Sequence, residues 1–279
     1  MKILVITPTY NEARNLTTLI PDILSYGNAD RLLEVLVIDD ASPDGSAEVV
    51  SKLAETDPRI HLMRRPGKLG LGTAYVEGFR FAQERDYDLI VQMDADLSHD
   101  PRYLPEFFDK VWEYDLVVGS RYLNGVSIVN WPIWRLVISY LGCSLARQLT
   151  GAPFTDATSG YKCFRTKVLQ DADLDHLRSN GFGFQIEFTH RIWTKGYQVG
   201  EIPIVFVDRF EGQSKMTAAI VIEALLLITG LWCLRIWHGI KRMGACRGLR
   251  QSGQHEGPEN SRSSQAEMPL PDEHSGRHS

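Results

Sequence analysis

Short apolar runs bounded by turn residues recur along the first half of the chain, at residues 3–6, 35–38, 89–93 and 116–118. Runs of this length predict buried strands. Between them the apolar spacing becomes helical. Ser42-Pro43-Asp44 reads as a helix start, with Pro43 in the first turn and Glu48 following, and Pro101 opens a stretch containing Leu104, Phe107, Phe108 and Val111. This alternation predicts an α/β domain whose mainly parallel sheet carries helices on both faces. In open α/β sheets ligands collect at the carboxyl ends of the strands. Three polar clusters directly follow apolar runs: Pro8-Thr9-Tyr10-Asn11-Glu12, Asp39-Asp40 and Asp94-Ala95-Asp96. The topology brings them to one rim although they lie far apart in sequence.

The pattern changes character at Met216. Residues 218–234 are apolar apart from Glu223, Thr229 and the small Gly230, and Arg235, Lys241, Arg242 and Arg247 follow. A spanning helix needs about 20 predominantly apolar residues, and Glu223 would sit inside it. An interfacial helix is therefore expected rather than a span, the plain alternative being a helix packed on the catalytic domain. From about Gly248 onward Ser, Gly, Gln, Pro and charged residues dominate, so this tail is expected to be disordered. The expected organisation is a catalytic domain over 1–215, a membrane-associated helical segment over 216–247 and a tail over 248–279.

A chain of 279 residues that is 43% hydrophobic can bury one large core. The net charge of -5 argues against non-specific nucleic-acid binding, while leaving local basic clusters able to meet phosphates or anionic lipid. Cys143, Cys163, Cys233 and Cys246 show no paired spacing, which favours a reducing compartment. The run at 3–6 is too short for a signal-peptide core, so the catalytic domain is expected to stay on the cytoplasmic side.

Asp94-Ala95-Asp96 carries the sharpest chemistry. Two carboxylates at a strand mouth can hold a hard divalent cation such as Mg²⁺ or Mn²⁺ through oxygen, with water and a substrate diphosphate completing the shell. Asp-x-Asp alone also occurs as a solvated strand end or helix cap; the position after an apolar strand favours the metal. Asp39-Asp40 suits hydrogen bonds to the base or ribose of a nucleotide, or one of the pair caps the next helix. Gly70-Leu71-Gly72 beside Lys68 lacks a full phosphate-loop spacing and reads mainly as a loop entering a helix. His99, beside a proline-bounded turn, reads as structural rather than as a base.

Taken in order, Pro8-Thr9-Tyr10-Asn11-Glu12, Asp39-Asp40-Ala41-Ser42-Pro43-Asp44-Gly45, Gly70-Leu71-Gly72-Thr73-Ala74, Met93-Asp94-Ala95-Asp96-Leu97-Ser98-His99 and Gly119-Ser120-Arg121-Tyr122 resemble the polyprenyl-phosphate mannose synthase branch of the inverting glycosyltransferase family 2. Val207-Asp208-Arg209 and Gly212-Gln213-Ser214-Lys215 extend the likeness, which spans roughly residues 1–215. Its specificity lies in the ordered set.

The resemblance implies a GT-A, Rossmann-like fold and transfer of mannose from GDP-mannose to a polyprenyl phosphate of the dolichyl type. It implies that Pro8, Tyr10, Glu12, Ile38, Asp40, Asp94 and Ala95 line the nucleotide-sugar site, with Asp96 on the metal and Arg209 and Lys215 closing over the diphosphate. It places Arg121, Arg135 and Ser139 around the acceptor phosphate; Arg135 and Ser139, four apart, share a helix face. Many members carry glutamine where this chain has Ser98, so Ser98 is a third candidate ligand of shorter reach. Apolar neighbours such as Trp131, Trp134, Val137 and Leu141 suit an isoprenoid chain or a bilayer interface, or else an ordinary buried helix face. Glucose as the sugar, a catalytically silent binding subunit and a separate anchoring subunit stay open. The expected location is the cytoplasmic face of a membrane: the plasma membrane in a bacterium, the endoplasmic reticulum in a eukaryote.

Overall fold

A computed structural model describes residues 1–177, 179, 181–208, 226 and 228–233. The four predicted strands form as β1 (Lys2–Thr9), β2 (Leu32–Asp39), β4 (Leu89–Gln92) and β5 (Leu116–Ser120), joined by β3 (Ile60–Arg64), β7 (Lys162–Arg165) and β8 (Val199–Pro203). The sheet order is β3-β2-β1-β4-β7-β5-β8. β7 runs antiparallel to both β4 and β5, and the other pairings are parallel. A small parallel pair, β6 (Ile128–Val129) with β9 (Phe206–Val207), stands apart.

Alternation along each strand sends side chains to two cores. Ile3, Val5, Val35 and Val91 face α1 (Ala13–Ser25), α2 (Ser46–Thr56) and α4 (Leu104–Lys110). Leu4, Ile6, Leu36 and Ile90 face α3 (Leu71–Gln83), α6 (Val168–Asp171) and α7 (Gly181–Thr194). Such a sheet, buried on both faces, explains why its strands read as unbroken apolar runs rather than alternating ones. Tyr75 of α3 stacks on Phe184 of α7, and Phe79 packs at a tilt against Phe184 and Phe188, holding those helices together. Gly72 permits this approach, because a Cβ there would lie 2.6 Å from the Ser179 carbonyl.

Between β6 and β7 runs α5 (Ile133–Thr150), whose buried side is narrow: Arg135, Cys143, Ala146 and Thr150. Among the described residues no helix is long and apolar enough to cross a membrane. Most of the segment expected at 216–247, and all of the tail from 248, lies outside the described residues.

Candidate functional site

The carboxyl ends of β1, β2 and β4 lie side by side, and the loops leaving them are tied together. Asp40 N–H donates to the Thr9 carbonyl at 3.0 Å, Asn11 N–H to Ser42 Oγ at 2.9 Å, Glu12 N–H to Ser46 Oγ at 3.0 Å and Ala13 N–H to Asp44 at 2.9 Å. These bonds correct one expectation: α2 starts at Ser46, not Ser42. Ser42 is engaged by the β1 loop, while Asp44 ties the starts of the two helices together, its Oδ2 accepting Ala13 N–H and its Oδ1 accepting Ser46 N–H at 3.0 Å and the Ser46 hydroxyl at 2.6 Å. Asn11, Ala41 and Leu97 take φ of 61°, 57° and 62°, one in each rim loop. A left-handed turn costs a residue with a Cβ about 1–2 kcal/mol, and such strain concentrates at functional sites.

On the side expected to hold the nucleotide, Asp39 is buried; its Oδ2 accepts Ser42 N–H at 3.1 Å, and its Oδ1 has no protein partner among the described residues. Asp40 is gripped by Arg65, whose Nη1 lies 2.6 Å from Oδ1. Arg65 also reaches Glu77 and Thr73, so it braces the loop entering α3. Burial raises the Asp40 pKa against the lowering pull of Arg65. Lys68 Nζ sits 4.3 Å from the Tyr10 ring centre, and Glu12 accepts from Asn15 at 2.6 Å. Pro8 is half-buried at the end of β1. The Ile38 side chain is fully buried in the core, so any contact it makes to a nucleotide comes from its backbone.

The acidic tip after β4 is held from three sides. Ala95 is buried and anchors the loop. Asp94 N–H donates to His99 Nδ1 at 3.0 Å, and the Tyr75 hydroxyl lies 3.5 Å from Asp94 Oδ1. Ser98 donates both its N–H and its hydroxyl to Asp96 Oδ1. The hydroxyl proposed as a third metal ligand is therefore directed at the carboxylate, fixing its pose. His99 is buried and stacked on Tyr161. Burial lowers its pKa in spite of Asp94 and Asp96. A neutral ring accepting at Nδ1 carries its proton on Nε2, so His99 acts here as a brace for the loop.

Among the described residues no group of three or more His, Cys, Asp or Glu side chains could enclose a metal. Two carboxylates facing an open cleft fit a hard divalent ion that shares its shell with a diphosphate and water; they do not fit a closed structural site. Asp94 and Asp96 line the same cleft as Arg121, Arg135, Trp131 and Asp208.

Arg121 enters that cleft from a fully buried ion pair. Its Nε lies 2.6 Å from Asp156 Oδ2 and its Nη2 2.7 Å from Oδ1, with Thr158 Oγ1 2.6 Å from the same Nη2. Burial alone would raise Asp156, but the charge and hydrogen bonds of Arg121, together with Thr158, hold its pKa below the ordinary value. Arg135 packs 4.0 Å over the Trp131 ring and binds Asp208 at 3.0 Å. Ser139 Oγ lies 2.8 Å from the Tyr122 hydroxyl. The structure thus brings Asp94, Asp96, Arg121 and Arg135 into one cleft; Arg209 and Lys215 lie outside the described residues. His99 is structural, as its place beside the proline-bounded turn implies, whereas nothing in the sequence marks Asp156 or Arg65 as part of the site. Asp156 sits in a run of small and polar residues after α5, with no apolar strand before it to mark a site.

Comparison with known proteins places this arrangement. Residues 4–172 match the family described as Glycosyl transferase family 2. The undecaprenyl-phosphate mannosyltransferase of Micrococcus luteus is 42% identical over 248 residues, covering 88% of this chain and 100% of that protein. The polyprenol monophosphomannose synthase of Mycolicibacterium smegmatis is 41% identical over 234 residues, covering 83% and 87%. Glucosyl-3-phosphoglycerate synthase from Mycobacterium tuberculosis, solved with Mn²⁺, uridine diphosphate and phosphoglyceric acid, superposes with a TM-score of 0.61 at 17% identity over 83% of this chain and 78% of that one. That likeness shows the GT-A fold. Sequence identity along most of its length makes the chain a member of glycosyl transferase family 2.

Proposed function

We propose that the chain transfers mannose from GDP-mannose to a polyprenyl phosphate, with inversion at the anomeric carbon. The observation that carries this reading is the single cleft lined by both Asp94 and Asp96 and by Arg121, Arg135 and Trp131. It offers an acidic edge for a metal-bound diphosphate and a cationic, aromatic edge for a lipid phosphate. The names of the two bacterial relatives, each a mannosyltransferase or mannose synthase acting on a polyprenyl carrier, support the same acceptor class.

In the proposed step an oxygen of the lipid phosphate forms a bond to the anomeric carbon while the bond from that carbon to the diphosphate oxygen breaks, and GDP leaves with the electron pair. A phosphate monoester is already anionic near neutral pH, so its oxygen needs no strong general base. The neutral, braced His99 accords with that. Arg121 and Arg135 orient and partly neutralise the attacking phosphate, which counts for more inside a cleft than in water. Arg209 and Lys215 are proposed to flank the leaving diphosphate. A Mg²⁺ or Mn²⁺ held by Asp94 and Asp96 would stabilise charge on that diphosphate when bound; the Mn²⁺ in the structural neighbour supports a divalent ion.

Incubating the purified chain with radiolabelled GDP-mannose, Mg²⁺ and a short polyprenyl phosphate should move label into organic solvent, with unlabelled UDP-glucose competing poorly. Preferential use of UDP-glucose would make the enzyme a glucosyltransferase. Nucleotide-sugar binding without lipid product would make it a silent subunit.

The outer face of α5 gives a second expectation. Ile133, Trp134, Val137, Ile138, Tyr140 and Leu141 are all exposed there, beside the arginine-lined cleft. We propose that this face rests on the cytoplasmic surface of the membrane that holds the acceptor, with the segment at 216–247 adding to the attachment. Burying one such side chain contributes about 1.5–3 kcal/mol. The double variant Trp134→Asp, Leu141→Asp should therefore raise the KM for vesicle-borne acceptor about tenfold or more while leaving GDP binding intact. Unchanged vesicle sedimentation together with unchanged acceptor KM would remove α5 from the membrane.

A further inference from the structure

Behind the arginine edge of the cleft the chain between α5 and β7, residues 151–161, has neither strand nor helix of its own to hold it. Asp156 lies in that stretch, and its carboxylate takes three bonds from Arg121: from the backbone N–H at 3.1 Å, from Nε at 2.6 Å and from Nη2 at 2.7 Å. A guanidinium is aimed only as well as the carboxylate that grips it is itself held.

Glu201 of β8 supplies that hold. Its Oε2 accepts Thr155 N–H at 2.8 Å, its Oε1 accepts Asp156 N–H at 3.0 Å, and the Thr155 hydroxyl lies 2.9 and 3.0 Å from the two oxygens. Two successive backbone N–H groups converging on one carboxylate make a firm grip, because bonds to a charged acceptor are about twice as strong as neutral ones. The same hydroxyl lies 2.8 Å from Ser120 Oγ. A carboxylate only accepts, so Thr155 donates to Glu201 and Ser120 donates to Thr155. Ser120 ends β5 and directly precedes Arg121. Glu201 therefore reaches Arg121 along two routes: through Asp156 to the guanidinium, and through Thr155 and Ser120 to the backbone that carries it. Arg121, Thr158 and Ser159 line the cleft, whereas Glu201 stands behind its wall.

We propose that Glu201 is a positioning residue for the acceptor phosphate, aiming the Arg121 guanidinium into the cleft from behind. The idea rests on the reading of Arg121 as a ligand of that phosphate. A carboxylate that only stapled the loop would add stability without favouring either substrate. One that aims Arg121 strengthens acceptor binding and leaves donor binding alone.

The test uses the full chain in detergent, with binding of a short polyprenyl phosphate and of GDP followed by calorimetry, and the KM values for acceptor and for GDP-mannose measured separately. Both Glu201 oxygens accept a backbone N–H, so a glutamine turned either way sets its NH₂ against one of them. Glu201→Gln should raise the acceptor Kd and KM about tenfold and leave GDP affinity within about twofold. Leu33→Ala, buried at the amino end of β2, sets the scale for lost stability alone: it should melt lower yet bind acceptor as wild type does. Thr155→Val removes only the hydroxyl bridge and should raise the acceptor Kd about threefold, with Thr155→Ser restoring it, so a Glu201→Gln chain that fails to fold leaves a second probe. In an Arg121→Lys background Glu201→Gln should add less than about twofold, because the fork it aims is gone. An acceptor Kd unmoved by Glu201→Gln or, where that chain fails to fold, by Thr155→Val would overturn the proposal and leave Glu201 a loop staple, as would equal losses for acceptor and GDP. Absent lipid product from wild type, with the acceptor-selective loss of binding intact, would instead overturn the transfer reading and leave the role of Glu201 standing.

Discussion

Asp96→Ala is expected to lower turnover by about 10²–10³-fold or more, the scale for removing a group that stabilises developing charge, while the domain stays folded. Asp96 sits at the rim rather than in the apolar core, and the bonds it accepts from Ser98 are local to the tip. Losing them should cost about 1 kcal/mol or less in stability, as for sites away from core packing. Chelating divalent ions should depress wild-type turnover comparably, and added Mg²⁺ should restore the wild type but not the variant. Full activity in chelated buffer would contradict the role given to the acidic tip.

Asp156→Ala carries the largest expected effect on stability. Asp156 is fully buried and makes two short bonds to Arg121, also buried. Removing one partner of such a pair strands the other charge and costs about 3–5 kcal/mol. In a domain of this size that is a fall in Tm on the order of 10 °C. Acceptor binding should weaken too, because the guanidinium loses the carboxylate that aims it into the cleft. The sign with pH follows from the depressed Asp156 pKa. Its stabilisation is fully present above the unfolded carboxylate value of about 4 and is lost as pH falls through the lower folded value. Melting curves from neutral to acidic pH should therefore converge for wild type and Asp156→Asn at the acid end. An Asp156→Ala protein melting within about 2 °C of wild type, less than 1 kcal/mol for a domain this large, would show that the pair is not structural.

What could be read from the chain follows from which interactions are local. The apolar runs of β1, β2, β4 and β5 announce themselves because strands buried on both faces need no polar alternation. Asp94-Ala95-Asp96 is legible because it sits directly behind such a run. β7 is not, since Lys162-Cys163-Phe164-Arg165 opens with a lysine whose burial depends on Gln185, 23 residues away. The start of α2 is obscured for a related reason. Ser42 and Asp44 have the chemistry of helix caps, yet Ser42 serves the β1 loop and Asp44 is shared between the starts of α1 and α2. Arg65 and Asp156 gain their meaning only when the fold sets them against Asp40 and Arg121. The parts of the site that depend on neighbours distant in sequence are the parts that spacing cannot reveal.

The central claim is that the rim after β4 grips a divalent ion and a diphosphate at the edge of the cleft shared with Arg121 and Arg135. Crystals grown with GDP and Mn²⁺, measured at the manganese absorption edge, test it directly. One anomalous peak against the Asp94 and Asp96 carboxylates, beside the bound GDP, is the expected result. Manganese bound elsewhere, or GDP seated away from this tip, would contradict it.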